Sequence, residues 1–173
     1  MEELQARFRA TMAHYPAGVV IVTTRDGHGR LQGFTATSFS SLSLAPPSIL
    51  VCLAHAAFCY EAFVTSRHFA INFVGAGHDG LALRFARRGE DKFAGVPVRL
   101  TEQGVPLLCE AAATLECATD SHVVSGDHAI LVGNVLDAAI AEGSDVLVHY
   151  QRRFGHVRFA RAGGDPADHG AVR

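Results

Sequence analysis

The feature that most constrains the fold is a series of short apolar segments, rich in β-branched residues and separated by glycine, proline and aspartate. Segments of this kind are typical of β-strands bounded by turns. Helical patterns are few and short, and they do not alternate with the strands as a doubly wound parallel sheet requires. The pattern therefore predicts a mainly β protein, a barrel or a sandwich with flanking short helices. Closing the sheet into a barrel is one way to remove exposed edges.

The individual elements follow from periodicity and turn signals. We predict strands over 19–24, 31–39, 48–54, 69–74, 111–119, 128–139, 145–149 and 153–159, and helices over 3–13, 57–66 and 79–88. A turn at Asp26-Gly27 separates the first two strands, which should form a hairpin. Residues 89–106 read as a loop. The segment 161–173 has no periodicity, so we expect one domain over 1–160 followed by a disordered tail.

Composition limits the kinds of binding partner and the cellular location that we expect. The chain has 173 residues and a net charge of −2, so it fits one domain and has no overall basic field for nucleic acid. Its longest nearly apolar run, 49–58, is well short of the roughly 20 residues of a membrane helix, and no signal peptide precedes it. The four cysteines form no C-x-x-C pair, and no histidine cluster has metal-ligand spacing. We expect a cytoplasmic protein with no membrane contact and no metal.

Two segments have compositions that suit an anionic ligand. Residues 33–47, GFTATSFSSLSLAPP, contain six serines and threonines. These hydroxyls either pair with the backbone or surround a phosphate or a polar ring edge. Residues 84–93, RFARRGEDKF, hold four of the fifteen basic residues. Such a run is either a solvated helix face or a phosphate site, since guanidinium groups bind phosphate through paired hydrogen bonds.

Two further segments suit contact with a ligand, although each has a plain structural explanation. Gly126-Asp127-His128 is either a turn with a surface histidine or a turn that presents a hydrogen-bond donor to a ligand. In 149–157, HYQRRFGHV, Phe154 either packs in the core or covers a planar ligand.

Taken together and in this order, these segments resemble the flavin reductase family of two-component flavin monooxygenases, the short-chain split-barrel reductases. The resemblance runs from about residue 8 to 159 and is nearest to reductase partners of actinobacterial aromatic-polyketide and phenol hydroxylases. It is carried by HYPAGVVIVTT (14–24), GFTATSFSSLSLAPPSILVCL (33–53), LALRFARRGEDKFAG (81–95), GDH (126–128) and YQRRFG (150–155). It implies an FMN-binding split β-barrel with Greek-key topology, a homodimer and a transient flavin-dependent monooxygenase partner.

The resemblance also implies which residues bind which cofactor. The residues implied for flavin, either FMN or FAD, are Thr35, Thr37, Ser38, Cys52, Leu53, Ala54, Phe58, Cys59, Arg84 and Phe85. Those implied for the reductant, NADH or NADPH, are His128, Arg152, Arg153, Phe154 and Gly155. Family members often have serine or threonine where this chain has Ala56, Ala57, Phe58 and Cys59. Either phosphate binding there is weaker, which would make the flavin a dissociable substrate, or backbone N–H groups and Arg84 bind the phosphate instead.

The implied reaction is hydride transfer from the nicotinamide to the flavin, which supplies reduced flavin to the monooxygenase. The cofactors carry that chemistry, so no catalytic acid, base or nucleophile is expected among the side chains. Two alternatives remain open at this point. One is a split-barrel oxidase or oxygenase that retains its flavin, and the other is a non-catalytic flavin-binding module.

Overall fold

The computed structural model describes residues 1–89 and 91–157. The predicted tail at 161–173 and the end of the last predicted strand, 158–159, lie outside the described residues. The helices are α1 (Glu2–Met12), α2 (Tyr60–Thr65) and α3 (Asp79–Ala86). The strands are β1 (Ala17–Gly18), β2 (Val20–Arg25), β3 (Leu31–Ala36), β4 (Phe39–Leu44), β5 (Pro47–Ala54), β6 (His68–Val74), β7 (Val98–Leu100), β8 (Pro106–Leu108), β9 (Ala111–Ser125), β10 (His128–Ile140), β11 (Leu147–Tyr150) and β12 (Arg153–His156).

The largest sheet has seven strands in the order β3-β2-β6-β9-β10-β5-β4. Strands β3 and β4 stand at its two ends, yet only residues 37 and 38 separate them along the chain. Laid flat at about 4.8 Å per strand, the end strands would be about 29 Å apart. The three Cα steps from Ala36 to Phe39 reach at most about 11 Å. The sheet therefore curls into a barrel that brings its end strands together where residues 37–38 join them, and the predicted split β-barrel is confirmed. We call this place the seam.

Strand β2 explains why the barrel holds together. Val20 and Val22 belong to the apolar cluster that also contains Phe34, Val51 and Phe69. Ile21 faces the other way and joins a second cluster under α3. Because both faces of β2 are buried, its sequence is a continuous β-branched run rather than an apolar–polar alternation. Strand β2 also pairs with β3 in the predicted hairpin, which is confirmed.

A glycine lets α3 pack tightly against β3. A Cβ placed on Gly33 would lie 2.8 Å and 2.9 Å from two ring carbons of Phe85, closer than real side chains approach. Phe85 is fully buried and makes an edge-to-face contact with Phe93, with 5.0 Å between ring centroids. The absence of a side chain at Gly33 therefore fixes where α3 and the segment after it lie along the seam.

Several predicted boundaries were wrong. The strand predicted over 31–39 is two strands, because β3 ends at Ala36 and the chain then crosses the seam into β4. Strand β9 continues to Ser125, well past 119, because pairing with β10 supports its polar half. Helix α2 is shorter than the predicted 57–66, and α3 ends at Ala86 rather than 88. The predicted loop 89–106 contains the short strand β7, which pairs with β8.

The remaining elements lie outside the barrel. Strands β11 and β12, the last two predicted strands, form a hairpin that pairs with β1 in a separate small sheet. Helix α1 lies close to its predicted position, but none of its residues is buried. Among the described residues, no helix has both the length and the apolar character needed to cross a membrane.

Candidate functional site

A cavity of about 420 Å³ opens at the seam, which we call the first cavity. Its walls come from the ends of β3 and β5, the loop between β5 and α2, the segment after α3, and the start of β10. The residues that line it are Phe34, Thr35, Ala36, Thr37, Ser38, Cys52, Leu53, Ala54, Ala56, Ala57, Phe58, Cys59, Phe85, Ala86, Arg87, Arg88, Lys92 and His128. The structure thus brings together nine of the ten residues predicted for flavin, together with His128.

The split in the barrel leaves backbone groups without a strand partner. The Gly33 carbonyl accepts a hydrogen bond from Lys92 Nζ at 3.0 Å, so it points away from β2 toward the open side of β3. Backbone groups of alternate residues in a strand point to the same side. The N–H and C=O of Thr35 therefore also face the open side, at the wall of the first cavity. An edge of this kind offers donors and acceptors to a polar ring.

The three predicted hydroxyl groups have different surroundings. Thr35 Oγ1 donates to the Ala82 carbonyl at 2.6 Å and ties β3 to α3. Ser38 Oγ continues the β4–β5 pairing by one residue beyond Phe39 and Val51, because it donates to the Cys52 carbonyl at 3.3 Å and accepts from the Cys52 N–H at 3.2 Å. Thr37 is exposed, and its hydroxyl makes no hydrogen bond within the described part of the chain. Thr37 is thus the hydroxyl left available to a ligand.

The positive charge at the cavity comes from different residues than predicted. Arg84 does not line the first cavity, because its Nη1 donates to the Ala94 carbonyl at 2.8 Å and supports the loop after α3. Arg87 and Arg88 line the cavity instead, together with Lys92. All of these residues belong to the basic run 84–93 that was noted in the sequence. Arg84 lies within α3, whereas Arg87 and Arg88 follow its end at Ala86 and reach the cavity.

Lys92 and Cys59 are neighbours in the cavity wall, and burial shifts the pKa values of both side chains. Lys92 Nζ donates to the carbonyls of Gly33 and Phe85, at 3.0 and 2.9 Å. Burial lowers the pKa of Lys92, and the nearby Cys59 partly offsets this. Burial raises the pKa of the Cys59 thiol, which the Lys92 charge partly offsets. Cys59 is therefore a neutral packing group at neutral pH rather than a thiolate nucleophile.

His128 stands at the mouth of the cavity with its ring held by its neighbour. Its Nδ1 lies 2.7 Å from Asp127 Oδ1. The hydrogen bond and the charge of His128 lower the pKa of the Asp127 carboxyl. A proton held on Nδ1 by this carboxylate leaves Nε2 free for a ligand. The His55 N–H donates to the Asp127 carbonyl at 2.9 Å and anchors this turn to the end of β5.

The other residues predicted for the nicotinamide lie elsewhere. Arg152 and Gln151 form the tight turn between β11 and β12, with φ of 61° and 47°. Arg152, Arg153 and Gly155 are exposed. Phe154 packs against the second apolar cluster and contacts the His149 ring, with 5.5 Å between centroids. None of the four residues 152–155 lines the first cavity, so the structure does not bring them together with His128.

The donor set fits a flat heterocycle that carries phosphate. The cavity offers unpaired backbone groups at Thr35, a free hydroxyl at Thr37 and apolar walls from Leu53 and Phe34. Arg87 and Arg88 supply the charge that a phosphate requires at one side. Fold and cavity together define a class of protein, a split β-barrel that binds a phosphorylated aromatic cofactor across its seam.

Comparison with known proteins identifies the family within this class of protein. Residues 12–158 match the family model described as a flavin reductase like domain. The chain is 41% identical over 150 residues to an actinorhodin polyketide dimerase of Streptomyces coelicolor, covering 87% of this chain and 85% of that protein. It is 39% identical over 152 residues to the reductase component of a 4-nitrophenol 4-monooxygenase/4-nitrocatechol 2-monooxygenase of Rhodococcus opacus, covering 88% and 80%.

A solved structure gives the same result. The NADH:FAD oxidoreductase SgcE6 of Streptomyces globisporus C-1027, in complex with NAD and FAD fragments, superposes with a TM-score of 0.84. Its sequence identity is 32%, and the match covers 95% of this chain and 98% of that one. The chain belongs to the flavin reductase family, as the resemblance in its sequence predicted.

Proposed function

We propose that this chain reduces flavin with a reduced nicotinamide cofactor and hands the product to a separate monooxygenase. The observation that carries the proposal is the cavity at the seam. It combines an open strand edge, a free hydroxyl at Thr37 and two exposed arginines after α3. The family and its relatives support the reaction, and the structure supports where in this chain it takes place.

The residues contribute by binding and orientation. The Thr35 backbone groups and the Thr37 hydroxyl would hold the polar edge of the ring, and Arg87 and Arg88 would hold the phosphate. The bound cofactors would supply the chemistry, a hydride transfer from nicotinamide to flavin. The contribution of the protein would be to bind and orient the two rings.

His128 is the residue that we assign to the nicotinamide. It lines the same cavity as the flavin groups, and Asp127 fixes its ring with Nε2 unengaged by that contact. NADH is the proposed reductant, and the relative of known structure, an NADH:FAD oxidoreductase, supports this choice. Residues 152–155 do not line the first cavity. Their contact with the nicotinamide stays a prediction from the resemblance.

The reduced flavin leaves for a monooxygenase partner in this proposal. The relative that is the reductase component of a nitrophenol monooxygenase supports such a partner. The small residues Ala56 and Ala57 offer no hydroxyl to the phosphate, which favours a flavin that exchanges over one that is retained.

We also propose that the chain forms a homodimer. Leu4 and Phe8, on one face of α1, are 64% and 63% exposed, and no residue of this helix is buried. A second copy would remove this apolar surface from water, with a gain of about 25 cal/mol per Å² covered. A cytoplasmic location is part of the proposal, and it is supported by four free cysteines in the described residues.

The test is the oxidation of NADH and NADPH by the purified chain with FMN, with FAD and without flavin, followed by the loss of nicotinamide absorbance. Turnover that saturates with added flavin is the expected result. The double variant Arg87→Ala/Arg88→Ala should raise the KM for flavin, whereas the matched variant Arg67→Ala, an exposed arginine outside the first cavity, should not. Flavin binding without turnover on either nicotinamide would contradict the proposal and favour a binding module.

A further inference from the structure

Lys92 is the single lysine among the 173 residues, and the other 14 of the 15 lysines and arginines are all arginine. It lines the first cavity and also a neighbouring cavity of about 570 Å³, so its half-buried side chain borders open space rather than packed core. An amine differs from a guanidinium because it can lose its proton and attack a carbonyl carbon. The chain therefore places its one side-chain amine where a bound ligand would reach it.

Two hydrogen bonds fix the position of the Lys92 nitrogen. Nζ donates to the Gly33 carbonyl at 3.0 Å and to the Phe85 carbonyl at 2.9 Å, and it makes no other hydrogen bond within residues 1–89 and 91–157. A protonated lysine has three N–H donors and a neutral lysine has two. The third proton can therefore leave while both bonds remain, and the lone pair that replaces it is free to attack an electrophile.

The surroundings of Lys92 favour the neutral amine. Burial lowers the pKa of Lys92, and the nearby Cys59 offsets this only in part. Burial also raises the pKa of the Cys59 thiol and so keeps it neutral. No carboxylate in residues 1–89 and 91–157 forms an ion pair with Lys92. Because no anion in this part of the chain holds the proton on Nζ, the neutral fraction is larger than for a lysine in water.

The first cavity also selects which molecules can reach this amine. Arg87 and Arg88 line the same cavity and can bind a phosphate through paired hydrogen bonds. Phe34 and Leu53 give the cavity an apolar wall. A small aromatic aldehyde that carries a phosphate matches all three features, with its phosphate at the arginines, its ring at the apolar wall and its carbonyl carbon at Lys92.

We propose that Lys92 forms a reversible imine with a phosphorylated aromatic aldehyde in the first cavity, and that this adduct excludes flavin. The neutral Nζ adds to the carbonyl carbon, the carbonyl oxygen leaves as water, and a C=N bond replaces the C=O bond. No oxidant or reductant takes part. When protonated, the imine nitrogen keeps one N–H for one of the two backbone carbonyls. The adduct is thus a reversible block on the cavity, and its formation does not depend on flavin reduction.

The test is the reaction of the full native chain with pyridoxal 5′-phosphate, fixed with borohydride and located by peptide mass mapping. The chain has one other amine, at its N-terminus, and the two products lie in different peptides. Lys92 should reach half-labelling at a concentration about tenfold lower than the N-terminus does, the equivalent of about 1.4 kcal/mol. Pyridoxal, which lacks the phosphate, should require about tenfold more. The double variant Arg87→Ala/Arg88→Ala should remove this difference between the two aldehydes.

Lys92→Arg is the matched control, because a guanidinium can still donate to the two backbone carbonyls but forms no imine. This variant should give no internal adduct and should unfold in urea at the same midpoint as the native chain. The comparison of the two amines within the native chain does not depend on the variant.

The outcomes separate failure of this proposal from failure of the proposed function. No adduct at Lys92, or equal labelling of Lys92 and the N-terminus, would overturn the proposal. Equal reaction of pyridoxal and its phosphate would overturn the contact with the arginines. Labelling that saturating FMN does not reduce, in a chain shown by fluorescence quenching to bind FMN, would overturn the exclusion of flavin. A chain that forms the Lys92 adduct but binds no flavin would contradict the proposed function and leave the imine assignment intact.

Discussion

Ser38→Ala distinguishes a hydroxyl that fixes the connection between β3 and β4 to β5 from one that binds flavin. Ser38 Oγ makes two hydrogen bonds to the backbone of Cys52, at 3.3 and 3.2 Å, one residue beyond the Phe39–Val51 pair of β4 and β5. Its donor is therefore already used within the protein. Both bonds are long and lie near solvent, so together they contribute about 1 kcal/mol to stability. We expect the substitution to lower the free energy of unfolding by this amount and to change flavin affinity little.

The measurement is urea unfolding of the flavin-free chain, with flavin affinity measured in parallel. With a slope of about 2 kcal/mol per molar urea, the midpoint should fall by about 0.5 M. Ser40→Ala is the control, because Ser40 Oγ donates to the carbonyl of the next residue, at 3.1 Å, rather than to β5. Thr37→Val should show the converse, weakening flavin binding about fivefold, or about 1 kcal/mol, at nearly unchanged stability.

Two results would contradict these assignments of Ser38 and Thr37. If Ser38→Ala leaves the urea midpoint where it is and weakens flavin binding, the hydroxyl binds the ligand in solution and its bonds to Cys52 do not contribute to stability. If Thr37→Val leaves flavin binding unchanged, the polar ring edge lies away from residue 37.

Gly33→Ala should destabilise the protein by about 1–3 kcal/mol in urea unfolding, because its Cβ would lie 2.8 Å from the Phe85 ring; an unchanged midpoint would show that α3 moves aside freely. His128→Ala should raise the KM for the nicotinamide and leave the flavin dissociation constant unchanged; an equal loss of flavin affinity would place this ring at the flavin instead. Burial, with a smaller effect from Glu116, raises the pKa of the Cys117 thiol from 9.0 to about 12. The unfolded chain therefore releases this proton first as pH rises. Stability from this thiol is complete below pH 9 and is lost toward pH 12, by about 1.4 kcal/mol per pH unit. Cys117→Ala, compared with the native chain under reducing conditions, should show a shallower alkaline loss of stability, and equal slopes would contradict the assignment.

Local patterns predicted the strands that are stabilised mainly by their own residues. The run at 19–24 has β-branched residues facing two apolar clusters, and its β-character is visible without any partner. The hairpin to β3 was equally predictable, because Asp26 accepts hydrogen bonds from two backbone N–H groups of the turn. In these places sequence and tertiary structure favour the same conformation.

The seam could not be predicted from periodicity, because its cause is not local. No glycine or proline marks residues 37–38, and the one local sign is that two polar residues, Thr37 and Ser38, follow each other and interrupt the alternation. The chain leaves β3 there only because β5, the strand that β4 must pair with, lies at the other end of the sheet. For a similar reason, the sequence did not reveal that Arg87 and Arg88, rather than Arg84, line the first cavity. This arrangement depends on where α3 ends against the barrel, which residue spacing alone does not give.

The strand order has a consequence for how the chain acquires its structure. Strand β5 takes its place between β4 and β10, with Val51 opposite Leu131, so the barrel closes only after most of the chain is available. During synthesis the N-terminal strands emerge first, with their apolar faces uncovered until the β9–β10 hairpin arrives. Long-range pairing of this kind makes folding slow and exposes early intermediates to aggregation. A chain truncated before residue 128 would keep its hydroxyl-rich segment and its arginines but would have no closed barrel to hold them.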